Sequence, residues 1–499
     1  MPKPPSAKIN YLYSIAFQIL SIATPLVTAP YLARVIGASG VGVFSYTSSI
    51  ALYFSMFGML GLNSYGNRCI AKVRDDRDKL SQMFSSLFYL QILTCALVSI
   101  AYLAYLFLLV KSNFTISAMH CLTVFSSMIN LIWLYMGLED FRVIISRSAV
   151  IKLLALVSIF VFVKTREDLW KYTLIISLGN FLGNVPFIVL MRKHVCLVKV
   201  GWRDILNHLK PNVILLIPIL SVSIYRTLDK LMLGWMSSYE EVGYFENADK
   251  VINICLGFIA ALGQVMLPKS ANLVAKGKFK ENNDLITRSF LFSTLLSSAM
   301  AFGVIGIARV FVPVFFGEEF LPTTGILILL APNLFFLAWG NVLKTQYLVP
   351  QEMDWTYLNA TLLGAVINIA INLVLIPQLK GIGASIGTVA AEMVSVGYIA
   401  YRVRGKLNLG RLIGKSTGYI GIGAVMMAAI WAISKLLDTS VWSIVILVLT
   451  GILVFSLGGQ VLYRIAGDSL LQEIYNAGMS LFRGLWKRSK RLIRRSVGG

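Results

Sequence analysis

This sequence is short of charged residues. Asp, Glu, Lys and Arg make up 14 % of its 499 residues, where a soluble domain carries about a quarter. With 57 % hydrophobic residues and a mean hydropathy of +0.75, that shortage excludes an ordinary soluble enzyme. It also excludes disorder, which needs the opposite balance. Acidic residues are the scarcer sign, 23 against 45 Lys and Arg, so the net charge is +22. Cysteine is sparse and scattered: Cys69, Cys95, Cys121, Cys196 and Cys255 form no C-x-x-C pair. They read as small packing residues, without a disulfide framework or a zinc site. The three histidines, His120, His194 and His208, have no ligand spacing. Nucleotide motifs fail as well. Gly414-Lys415-Ser416 lacks the glycine of a phosphate loop, with Leu409 in its place, and Gly381-x-Gly383 lacks the dinucleotide spacing. No metal and no cofactor is expected.

What the sequence has instead is long apolar runs. Fourteen candidate spans fall at about 9–36, 41–66, 84–110, 114–138, 143–163, 170–191, 211–236, 246–267, 286–312, 323–348, 356–377, 383–401, 414–436 and 441–463. Runs near 20 residues cross a bilayer as helices, because lipid leaves no other partner for the backbone. The fold class is therefore all-α integral membrane, with about 14 transmembrane helices. The run from Ile9 has no A-x-A site and reads as a first helix, not a cleaved signal.

Positive charge alternates between loops. Segments 67–83, 192–210, 268–288 and 402–415 are each rich in Lys and Arg. The intervening loops carry Lys111 alone, Lys380 alone, or the acidic pair Glu240–Glu241. Lys164, Arg166 and Lys171 are the exception, diluted by Glu167 and Asp168. This pattern places both termini in the cytoplasm. It also explains the basicity without a nucleic-acid partner. The tail, 465–499, mixes Arg and Lys with Leu481, Phe482, Leu485 and Trp486. It is expected to form a basic amphipathic helix on anionic membrane lipids.

An internal repeat is visible. Val41-Gly42-Val43-Phe44 returns 201 residues later as Val242-Gly243-Tyr244-Phe245, between spans of the same orientation. That implies two six-helix bundles, 1–192 and 193–401, related by an axis along the membrane normal, with two further helices over 402–464. A cleft between two bundles is the architecture of a transporter that alternates access.

Charges inside apolar spans are the candidate functional residues. Span 7 holds Arg226, Asp229 and Lys230. Each costs about 2.5–3.5 kcal/mol near mid-bilayer, so all three must face protein or water. Their i,i+3 and i,i+4 spacing puts them on one helical face. An Arg226–Asp229 pair would neutralise itself and leave one positive charge, which suits an anionic substrate. Arg34 ends span 1, and Glu392 lies within span 12. Glu392 reads either as a proton or cation site or as the partner of a buried cation. Arg142 and Arg147 lie near the cytoplasmic interface and are expected to snorkel.

Four segments, in order, resemble one family. They are Pro30-Tyr31-Leu32-Ala33-Arg34-Val35-Ile36-Gly37 with Gly40-Val41-Gly42; Trp133-x-x-x-Gly137-x-Glu139; Leu228-Asp229-Lys230 through Gly234 with Glu241-Val242-Gly243; and Asn368-x-x-x-Asn372 with Gly383, Thr388 and Glu392. Together, over about 10–400, they look like bacterial polysaccharide flippases of the Wzx type, in the multidrug/oligosaccharidyl-lipid/polysaccharide exporter superfamily. The resemblance implies translocation of an undecaprenyl-pyrophosphate-linked oligosaccharide to the outer leaflet of the bacterial cytoplasmic membrane. Other polysaccharide-assembly proteins are then natural partners. Arg34, Arg226 and Lys230 are the expected substrate-binding residues. Asp229 and Glu392 are expected to serve ion coupling or charge balance. No covalent chemistry, and so no catalytic residue, is expected. The alternatives are a cation-coupled multidrug antiporter on the same scaffold, or a membrane enzyme of polysaccharide assembly. Spans 1–3 lack internal carboxylates, and the outer loops are short, which weighs against both.

Overall fold

The computed structural model describes residues 7–467 and 471–472; the side chains of residues 7–22, 218, 222, 224–226, 262, 264 and 466 are outside the description. Most of the expected basic tail therefore lies outside the described residues. Every regular element among the described residues is helical. In the first half these are α1 (Ala7–Met59), α2 (Leu62–Val73), α3 (Arg77–Leu108), α4 (Phe114–Met119), α5 (Cys121–Ser126), α6 (Ile132–Gly137), α7 (Phe141–Phe162), α8 (Leu169–Met191) and α9 (Trp202–Asn207). Then come α10 (Leu209–Met236), α11 (Tyr239–Ala275), α12 (Phe279–Phe316), α13 (Thr323–Leu330), α14 (Asn333–Leu343), α15 (Asp354–Val403), α16 (Leu409–Ser434) and α17 (Val441–Ala466).

Eleven helical stretches among the described residues are long and apolar enough to cross a membrane. Two of them, Ala23–Val73 and Asp354–Val403, run to 51 and 50 residues, more than twice what one crossing needs. Each is broken where the sequence places a turn. Gly37 takes φ 69°, ψ −179° in α1, and Lys380 takes φ 52°, ψ −127° in α15. A conformation like that of Gly37 is open mainly to a residue without a Cβ. Past Lys380 the chain doubles back, so that Gly387 packs on Asn372. The stretch read as span 4 is segmented. It comprises α4, α5, a 3₁₀ turn at Ser127–Ile129 and α6, with Asn130 extended between the last two.

The chain forms two compact units. The first takes residues 1–254, 315–329 and 361–391; the second takes 255–314, 330–360 and 392–499. In the first unit, the α6 segment lies on α2, meeting it at every fourth residue of α2. Trp133 covers Gly66, Gly137 meets Ile70, and Glu139 pairs with Arg74 at 2.7 Å. The Trp133 indole donates to Gln91 at 2.9 Å, and Gln91 donates to the Ser127 carbonyl at 2.7 Å. The W-x-x-x-G-x-E segment is thus a packing stripe. Just beyond α2, Asp76 caps α3 by accepting from the N–H groups of Asp78 and Lys79. The Lys79 side chain and these amides hold its carboxyl below the usual range.

The second unit is centred on Phe290, Val342, Leu343, Tyr347, Ile399 and Val403. There α14 runs into a π-helical turn, Lys344–Leu348. Its Gln346 carbonyl accepts from Ser270 at 2.6 Å and from Asn282 at 3.1 Å. The exposed faces of both units stay apolar, as with Leu153, Leu154 and Val157 of α7 and Leu449, Ile452 and Leu453 of α17. Faces of that kind are ones lipid would cover.

Candidate functional site: a closed end and a buried charge network

Six alternate turns of the chain meet at one end of the first unit. Glu319, just after α12, ties three of them. It accepts the Ala38 N–H at 2.9 Å, where α1 restarts after Gly37, and pairs with Arg166 at 2.5 Å in the turn between α7 and α8. Glu241, at the start of α11, accepts the Gly381 N–H at 3.1 Å, where α15 restarts. Ser112, between α3 and α4, reaches the Tyr239 hydroxyl at 3.4 Å. Both carboxylates sit at helix starts, where unsatisfied N–H groups favour an anion. Three of the basic residues in these loops are answered locally. Arg166 has Glu319, Lys171 has Asp168 at 2.5 Å, and Lys380 lies 3.9 Å from Glu241.

The tightest contact at this end joins residues of the repeated segments. A Cβ on Gly42 would run into the Tyr239 carbonyl, and one on Gly243 into the Ala38 carbonyl. Tyr239 follows Ala38 by the same 201 positions that separate Gly243 from Gly42. The two contacts are therefore reciprocal, as a two-fold relation requires. One turn further along, Ser45 donates to Glu246 at 2.8 Å.

Glu246 opens a four-charge network. Lys230 of α10 pairs with Glu246 at 2.7 Å and Asp249 at 3.2 Å, and Lys250 pairs with Glu246 at 3.3 Å. Two ammonium groups and two carboxylates sum to zero. The positive charge expected to remain on Lys230 is thus matched from α11. Sequence reading passed over Glu246, Asp249 and Lys250 because they open an apolar span. Their i, i+3, i+4 spacing was the available signal.

Asp229 points elsewhere and is 1 % exposed. It accepts from Asn372 at 2.5 Å and from Thr388 at 2.6 Å, both on α15. Asn372 also donates to Asn368 at 3.2 Å. The motif residues of spans 7, 11 and 12 therefore converge on one buried carboxylate. Glu392 is buried one turn past Thr388 on α15. Arg34 is exposed at the closed end, one turn before Gly37 and beside Gly317. Arg226 lies on α10, and its side chain is outside the described residues. Arg147 does not snorkel. It donates to Asn184 at 2.5 Å, with its guanidinium 4.4 Å from the Phe187 ring centroid.

A family model described as "Polysaccharide biosynthesis protein" matches residues 8–274, more than half of the chain. The chain belongs to that family. It is 23 % identical over 408 residues to a putative O-antigen transporter of Escherichia coli strain K12, covering 80 % of this chain and 97 % of the relative. A probable low-salt glycan biosynthesis flippase of Haloferax volcanii is 25 % identical over 171 residues, 34 % of this chain and 36 % of the relative. Among solved structures, the lipid II flippase MurJ in an inward closed conformation superposes with a TM-score of 0.74 at 15 % identity, covering 93 % of this chain and all of that one. That likeness gives the fold: an all-α, multi-pass membrane protein. These relatives are named as transporters and flippases, not as catalysts.

Proposed function

We propose that this chain is a flippase. It carries an undecaprenyl-pyrophosphate-linked oligosaccharide, the repeat unit of a surface polysaccharide, from the cytoplasmic to the outer leaflet by alternating access. The observation that carries the reading is the closure of one end by six alternate turns, in a member of a polysaccharide biosynthesis family. In this reading that end faces outward and both termini face the cytoplasm, so the arrangement described is closed to the outside. A sugar–pyrophosphate head cannot cross hydrocarbon unaided. A polar cavity between two bundles takes the head while the polyprenyl chain stays in lipid.

Arg34, Arg226 and Lys230 are assigned to the pyrophosphate, which carries about two negative charges and accepts charge-assisted hydrogen bonds. Lys230 can reach a phosphate only by leaving Glu246 and Asp249. That exchange disturbs the same Glu246 that holds Ser45 at the closed end. Substrate binding and outward opening are then two consequences of one swap of partners. Arg34, at the closed end itself, meets the head as that end parts. Asp229, with hydroxyl and amide neighbours, serves ion coupling or charge balance, with Glu392 one turn along α15. No covalent bond changes, so the residues only bind, neutralise and move.

Depletion in the parent cell tests this reading. Lipid-linked oligosaccharide should build up in the cytoplasmic leaflet and surface glycan should disappear. Wild-type protein should restore export, whereas Arg226→Ala and Lys230→Ala, inserted at normal levels, should not. Asp229→Asn should abolish export if the carboxylate couples an ion, and only weaken it if the charge is a local balance. Accumulation on the outer leaflet, or full export by an Arg34→Ala, Arg226→Ala, Lys230→Ala triple variant, would overturn the assignment.

A further inference from the structure

His120 is an imidazole buried where nothing above uses it. It is 1 % exposed, and it sits at the break between α4 and α5, as C-cap of one and N-cap of the other. An ionisable group inside a membrane span is costly and marks function more often than packing. Its Nδ1 lies 3.3 Å from the Ser177 hydroxyl of α8, and its Nε2 has no partner. A fully buried ring nitrogen left without a partner costs free energy in the arrangement where it is seen. That cost would be relieved in an arrangement that gives Nε2 water or a proton.

The surroundings fit a proton and little else. Thr173 and Ser177 of α8 are fully buried hydroxyls. Phe44 of α1 packs on both the His120 and Tyr172 rings, with centroids 5.5 and 4.4 Å away. Titratable groups on the packed elements include Tyr172 of α8, which feels the charge of Glu246, Tyr102 of α3, whose hydroxyl donates to the Ser117 carbonyl, Tyr105 of α3, Tyr46 and Tyr53 of α1, and Cys121 beside the histidine. The nearest charges along α8, Lys171 and Asp168, pair with each other at its start. Arg34 of α1 lies at the closed end. Imidazole is the side chain that changes charge between pH 5 and 8 without strong perturbation.

We propose that His120 is a proton-binding site in the first unit, loaded when α1, α5 and α8 part and emptied when they close. The proposal rests on the flippase reading and adds to it that translocation is coupled to a proton. The segmented span supplies the movement, because the backbone tightens at His120: its N–H reaches back only three residues, to the Ser117 carbonyl at 3.1 Å, while its own carbonyl accepts from Val124 at 3.1 Å. The site is sealed from water in the outward-closed arrangement, so the proton enters or leaves only with the conformational change. A coupling site needs that property.

The test uses the full-length protein in proteoliposomes. The probe is a fluorescent polyprenyl-pyrophosphate N-acetylglucosamine, read by quenching of the outer leaflet. With the internal pH fixed, the wild-type rate should change about tenfold as external pH is stepped across the imidazole range, pH 5 to 8. His120→Gln should flip the probe at a rate independent of pH, and Ser177→Ala should displace the midpoint while Ser177→Thr restores it. In parallel, ring-labelled histidine NMR should show one resonance, missing in His120→Gln, that titrates only when probe is present. A wild-type pH profile in His120→Gln, or a His120 resonance that never titrates, overturns the proposal. Where His120→Gln does not insert, an unmoved midpoint in Ser177→Ala overturns it. No flipping by the wild-type protein at any pH would instead refute the flippase reading.

Discussion

Ser45 donates its hydroxyl to Glu246 at 2.8 Å, and the two residues lie 201 positions apart. Equivalent positions of the two repeated segments thus hold each other. The partner on the later segment is also the carboxylate that neutralises Lys230.

Removing one member of that network should be worse than removing two. Breaking a buried ion pair costs about 3–5 kcal/mol, while replacing both partners with apolar groups is often neutral. Glu246→Gln should lower the Tm of the purified protein and abolish export. The double variant Glu246→Leu, Lys230→Met should recover most of the Tm without recovering export. Recovery of both by the double variant would remove the network from the mechanism.

Glu319 should govern the closed end. Charge-assisted hydrogen bonds to a carboxylate contribute about 1.5–3 kcal/mol, and each 1.4 kcal/mol is tenfold in a population. Glu319→Ala should therefore raise the rate at which an impermeant maleimide labels Ser49→Cys, a buried position further along α1, by about tenfold or more. An unchanged rate would show that the end is held by other contacts.

Gly42 and Gly243 should each refuse a side chain. In either position a Cβ meets a backbone carbonyl of the other segment. Gly42→Val and Gly243→Val should each cut export by about tenfold, consistent with an overpacking cost of about 1–3 kcal/mol. Both variants should still insert. Near wild-type export in both would mean the backbones do not approach this closely during transport.

Sidedness can be read by labelling single cysteines in a cysteine-free background. Ser112→Cys and Lys164→Cys should react with an impermeant reagent from outside, and Lys280→Cys and Lys406→Cys only after the cells are opened. All four native positions are exposed. Asn282 is a poor probe despite its loop position, because it is buried against Ser270 and the Gln346 carbonyl. The reverse pattern would invert the orientation and with it the direction of opening.

The sequence made the helical crossings legible because apolar runs and loop charge report the bilayer directly. The turns at Gly37 and Lys380 fall between predicted spans for that reason. The recognised segments proved to be places where distant elements touch: Trp133 on Gly66, and Asn372 and Thr388 on Asp229. Other features stayed hidden. Arg166 and Glu319 are 153 positions apart, and no local period links them. Lys230 read as an unmatched cation because its counter-charges lie on the next helix, at the edge of an apolar run. The stretch 114–138 read as one continuous span, although it is segmented at His120 and again at Ser127–Ile129. Hydropathy averages over a window and does not see where backbone bonding lapses.

The crossing at Gly42 and Gly243 also bears on how such a chain can change over time. Two backbones pressed together at matched positions cannot alter in length independently. A residue inserted into 38–45 would slide Ser45 past Glu246 and bring a bulky side chain to the point of contact. Length variation among descendants should therefore gather in the basic connections, such as 192–208, and spare both contact segments. A tolerated substitution in one segment should tend to arrive with a compensating one 201 positions away.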